Sequence, residues 1–94
     1  MAKQTDDKAK LPDSKYVKVK ITFRNPDLER PTISAATNRV IENGSMTLKS
    51  YRIKPGVEVE LPEPVVDMLN ERYYIVKDNR GKEQKLPMYF IERV

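Results

Sequence analysis

Apolar and polar side chains alternate most strictly over residues 15–24, KYVKVKITFR, where Val17, Val19, Ile21 and Phe23 interleave with Tyr16, Lys18, Lys20, Thr22 and Arg24. A period of two marks a strand with one face buried and the other in water, so a half-buried strand with a basic outer face is expected here. Asn25-Pro26-Asp27 supplies turn chemistry, and a short β-branched stretch after Pro31, residues 32–35, is expected to pair as an edge strand. Residues 36–45 have no readable period apart from Asn43-Gly44, a tight-turn dipeptide. Residues 46–54 look extended, with an alternation that slips near Ser50 as it would at a bulge.

Residues 51–54 and 58–61 flank Pro55-Gly56-Val57 and fit one another as an antiparallel pair. Ile53 would then oppose Val59, Tyr51 would oppose Leu61, and Arg52 and Lys54 would oppose Glu60 and Glu58. A slip of one residue would set Ile53 against Glu58, so the hydrophobic pattern selects the register. The alternative is that Pro-Gly carries the chain between two sheets of a sandwich. Pro62-Glu63-Pro64 then opens a short helix over residues 64–72, with proline and acidic residues at the N-terminal end that favours them and Val65, Val66, Met68 and Leu69 on its apolar side. Residues 73–77 predict a strand, 78–81 a turn, 82–86 a returning strand, and, after Pro87, residues 88–94 a last strand. These elements predict a mainly β fold, a compact antiparallel β-sandwich or barrel with one short helix, built from a single domain over residues 15–94.

Residues 1–14, MAKQTDDKAKLPDS, alternate in charge and are almost devoid of apolar side chains, the composition of an extended arm that cannot offset its ordering entropy by burial. Nothing in it can build a core, so its lysines, Lys3, Lys8 and Lys10, are expected to lie on a partner. The chain carries a formal charge of +4. Acidic and basic residues balance within residues 1–14 and within 25–94, so the whole excess falls on Lys15, Lys18, Lys20 and Arg24. With alternate strand residues about 6 to 7 Å apart, that stripe could track a phosphate backbone, with Tyr16 available for stacking. It would equally keep an exposed strand face soluble, or meet an acidic protein. Tyr89 and Ile91, in the last strand, are candidates for adding to a neighbour's sheet edge; the alternative is that this strand completes the chain's own sheet.

No cysteine or histidine is present, which excludes disulfides and Cys/His metal sites and removes the usual acid-base residue of neutral pH. Gly44, Gly56 and Gly81 are scattered in turn contexts and form no phosphate-cradling loop. No catalytic residue, metal site or cofactor is expected, and the chain reads as a non-enzyme. Without a hydrophobic leader or a membrane-length apolar run, it reads as cytosolic in origin. A domain of this size buries only about 60% of its unfolded surface, so assembly with a partner or with copies of itself is the expected route to stability.

The segment YRIKPGVEVELPEPVVDMLNERYYIV, residues 51–76, with the closing KLPMYFIERV, residues 85–94, resembles small structural proteins of tailed-bacteriophage virions, in which a Pro-Gly strand connection leads through a Leu-Pro step into a short helix. The resemblance implies a head-associated decoration or cement protein that binds the major capsid protein, with the arm extended over it. The reading from a different class is a small nucleic-acid-binding β-barrel that uses the basic strand face. An enzyme inhibitor or an adaptor for a host protein is a third.

Overall fold

The computed structural model describes residues 11–94. β1 (Tyr16–Phe23) forms where the alternation places it, with Val19 and Ile21 fully buried and Val17 and Phe23 packed at the margin of the core. A 3-10 turn at Pro26–Leu28 follows, capped by Asn25, whose Oδ1 accepts from the Asp27 N–H at 3.0 Å. β2 (Ile33–Glu42) and β3 (Ser45–Ile53) form a hairpin. Its turn residues, Asn43 and Gly44, both have positive φ, 53° and 80°, as a two-residue turn matched to strand twist requires. The chain continues through β4 (Glu58–Pro62), α1 (Glu63–Asn70), β5 (Tyr73–Lys77), β6 (Glu83–Pro87) and β7 (Tyr89–Arg93).

The fold is mainly β, and the described residues form three small antiparallel sheets: β4-β1-β7, β2-β3 and β5-β6. The first two sheets and the helix share one core. β1 gives it Val19 and Ile21, the β2–β3 hairpin gives Ile33, Ala35, Val40 and Ile53, β4 gives Leu61, and α1 gives Val65, Val66 and Leu69. Among the described residues no hydrogen-bonded ladder joins the first two sheets, which do not close into a barrel. β5 and β6 contribute no residue to the buried core.

The expected pairing of residues 51–54 with 58–61 does not form; the chain instead crosses between sheets at Pro55-Gly56. β3 pairs with β2, Ile53 opposite Ile33 and Tyr51 opposite Ala35. β4 pairs with β1, Val59 opposite Val19 and Leu61 opposite Val17. The Lys18–Glu60 and Lys20–Glu58 pairs in that ladder match charges as well as the rejected register would have done. Tertiary contact decides between them: Gly56, at φ 81°, turns its N–H onto the Ile21 carbonyl at 2.8 Å and so docks the connection on β1.

The short edge strand expected at residues 32–35 is the start of the ten-residue β2. The bulge expected near Ser50 lies in the partner strand, where Asn38 and Arg39 together stand opposite the single residue Leu48. The extra residue reverses the parity of β2, so Ile33 and Ala35 point inward before it and Val40 after it. Helix α1 spans Glu63–Asn70 rather than residues 64–72, and the Glu63 N–H donates to the Lys15 carbonyl at 2.8 Å, tying the helix start to the foot of β1. Residues 11–14, assigned by sequence to the arm, lie against the β2–β3 turn. Leu11 N–H donates to the Gly44 carbonyl, Ser14 N–H to the Ile41 carbonyl, and Ile41 N–H back to Ser14 Oγ at 2.8 Å.

Two isoleucines test this division of the molecule. Ile21→Ala empties a fully buried site and is expected to cost about 2–5 kcal/mol in urea denaturation. Ile75→Ala, in the exposed β5, is expected to cost less than about 1 kcal/mol. Equal losses would show that β5–β6 belongs to the cooperative core.

Candidate interaction surfaces

The basic stripe of β1 reaches the surface in altered company. Lys18 stands opposite Glu60, and Lys20 stands between Glu58 on β4 and Glu92 on β7. Three carboxylates thus interleave with the cations, because β1 is the central strand of its sheet and not an edge. The stripe therefore lies on the face of a central strand and does not guard a sheet edge. Arg24, just beyond the strand, places its guanidinium 5.2 Å from the centroid of the Phe90 ring. Lys15 is exposed at the foot of β1.

Tyr89 and Ile91 lie on the core side of β7, which pairs with β1 and so completes the chain's own sheet. Ile91 is opposite Ile21. The Tyr89 ring meets Phe23 edge to face with centroids 5.3 Å apart, and its hydroxyl accepts from Arg72 Nη1 at 3.1 Å. Their half-buried side chains act inside the fold; the outward residue between them is Phe90, 54% exposed. Lys3, Lys8 and Lys10 fall outside the described residues.

The sequence predicts the two strands and the turn of the β5–β6 hairpin but singles out none of its residues as an interaction surface. On one face lie Tyr73, Ile75 and Lys77, with Pro87, Lys85 and Glu83 opposite them. Tyr73 and Ile75 are about half exposed, at 49% and 50%, and Val76, on the other face, is 41% exposed. Lys85 Nζ sits 4.5 Å above the Tyr73 ring. The tip is firmly built: Asp78 Oδ1 accepts from the Arg80 and Lys82 N–H groups, both at 2.9 Å, and the Asp78 N–H donates to the Lys82 carbonyl. The signal was present in the sequence. Residues 73–76, YYIV, are apolar on both faces while the returning KEQK is polar on both, so no two-sided core could cover this pair.

A polar cluster lies where β1 approaches the β2–β3 hairpin. Lys49 Nζ contacts Glu42 Oε1 at 2.7 Å, which holds the ammonium above its ordinary range. Burial pushes the Tyr51 phenol up to about 12, with the Tyr16 hydroxyl and then the Glu42 carboxylate acting in the same direction. Among the described residues, no three His, Cys, Asp or Glu side chains gather as metal ligands would, and no helix is long and apolar enough to cross a membrane. Comparison with protein-family models, curated proteins and solved structures found no match for this chain.

Both shifts carry one sign. Each group is protonated more tightly folded than unfolded, so its contribution is complete below about pH 10 and is lost as the pH rises through the folded value. The melting temperature is expected to fall between about pH 10 and 12, and Tyr51→Phe to flatten part of that fall. An equally steep profile in Tyr51→Phe would remove Tyr51 as a titrating group.

Proposed function

We propose that the chain is a non-enzymatic structural protein of a tailed-phage virion, made in the host cytoplasm and held on the head as a decoration or cement protein by contact with the major capsid protein. The observation that carries this reading is the β5–β6 hairpin, which projects Tyr73, Ile75 and Val76 into solvent and adds nothing to the chain's own core. A two-stranded hairpin is marginally stable alone in water. A partner that buried these side chains would gain the apolar area and would order the hairpin by mass action. The pattern around them, with Lys77, Lys82 and Glu83 framing an aromatic and branched centre, is that of an interface core with a polar rim.

The resemblance of residues 51–76 and 85–94 to virion proteins supplies the kind of assembly. The charge pattern of the β4-β1-β7 face supports a protein partner over a phosphate backbone, since Glu58, Glu60 and Glu92 would repel phosphates along the path of Lys18 and Lys20.

Mass spectrometry of gradient-purified particles of the encoding phage is expected to find the chain in fixed ratio to the major capsid protein, retained after nuclease and about 1 M salt. Ile75→Glu is expected to keep its fold and to lose about tenfold or more of its particle occupancy. Absence of the chain from particles, or its release by nuclease, overturns the virion reading; full occupancy by Ile75→Glu overturns the role of the hairpin.

A further inference from the structure

β3 (Ser45–Ile53) is paired with β2 on one side, and among the described residues no strand lies on its other side. Ile41 shows which main-chain groups face that open side. Its N–H donates to Ser14 Oγ and its carbonyl accepts from the Ser14 N–H, so both point away from β3. Ile41 and Met46 stand opposite one another in the ladder and are therefore a pair without mutual hydrogen bonds, which turns the Met46 groups to the open edge. The direction alternates along a strand, so the main-chain groups of Leu48 and Ser50 point the same way. Their side chains share the outer face of the sheet, opposite to the half-buried Tyr51 and the buried Ile53, and Met46 and Leu48 are 67% and 68% exposed.

The other strand edges are shielded. Residues 11–14 cover β2 at Ile41, β4 carries Glu58 and Glu60 and ends in Pro62, and β7 carries Glu92 and Arg93. The five-residue β5 and β6 carry Lys77, Glu83 and Lys85. Shortness, charge and proline are the usual means by which a sheet avoids adding a further strand. β3 is nine residues long and has no proline. Its charges are Lys49, whose ammonium lies 2.7 Å from the Glu42 carboxylate, and Arg52 near the far end.

We infer that β3 pairs antiparallel with the β3 of a second copy, about a two-fold axis at Leu48, so that two hairpins form one four-stranded sheet. Main-chain pairing gives affinity for any extended strand, and the side chains select this one. With Leu48 opposite Leu48, Met46 faces Ser50, Thr47 faces Lys49 and Ser45 faces Tyr51, so Met46 and Leu48 of both copies gather on one face and no like charges meet. A shift of two residues centres the pair on Lys49 and sets ammonium against ammonium. A shift of one sets edge-facing groups against groups already bonded to β2. The inference goes beyond the capsid reading and does not rest on it, since self-pairing is measured on the isolated chain.

Sedimentation equilibrium of the full chain from about 1 μM to 1 mM is expected to show a monomer–dimer equilibrium. Hydrogen exchange of the Met46, Leu48 and Ser50 amides is expected to slow as the concentration rises. Leu48→Lys, at an exposed position where the cost to folding is small, is expected to weaken the dimer by about tenfold or more. The chain has no cysteine, so Leu48→Cys places a single thiol in each copy. Hydrogen-bonded partners lie about 5.5 Å apart between Cα atoms, within disulfide reach, and mild oxidation is expected to cross-link Leu48→Cys far more than Arg30→Cys. A chain that stays monomeric throughout overturns the inference. So does a dimer that survives Leu48→Lys, or one lost in Ile75→Glu but kept in Leu48→Lys. Protection of the β3 amides that is independent of concentration and disappears on deleting residues 2–10 also overturns it, by assigning the edge to the chain's own N-terminal segment.

Discussion

Val19 and Ile21 are completely buried in a strand paired on both sides, and the rest of the molecule is arranged around that fact. β4 takes the first half of β1, from Tyr16 to Lys20, and β7 takes the second, from Val19 to Phe23. Each partner also anchors what adjoins it. The start of α1 is tied to Lys15, the Pro55-Gly56 connection to Ile21, and the Val94 N–H to the Lys18 carbonyl. Among the described residues the apolar core cluster is ten side chains drawn from five elements, a small core, so the double pairing of one strand carries much of the cooperativity.

The same pairing decides the electrostatics. Of the segment 15–24 that carries the net charge, Lys18 and Lys20 lie in β1 itself, seated between two strands that set Glu58, Glu60 and Glu92 opposite them.

The β5–β6 hairpin is the complementary case. Its tip is ordered by the hydrogen bonds of Asp78, while its stem presents tyrosine and branched side chains that the core does not use. A segment with little buried apolar area opens more easily than the core, so a partner that covered it would order it as well as bind it. The fold therefore divides its labour: β1 to β4, α1 and β7 hold the domain together, and β5–β6 is offered outward.

Strict alternation determined β1, because a period of two with one apolar face has a single low-energy solution. Proline and acidic residues at its start determined the helix, and Asn43-Gly44 its hairpin turn, since these are local preferences of the backbone. β2 was illegible because the bulge at Asn38 and Arg39 reverses its parity midway, which a fixed period cannot show. The partners of β3 and β4 were undecided for a different reason. Val59, Leu61, Glu58 and Glu60 complement β1 and β3 equally well, and pairing is a choice among surfaces that one strand's own sequence does not rank. The tertiary structure made that choice, by seating Gly56 on β1, and with it fixed that Glu58 and Glu60 stand opposite Lys20 and Lys18.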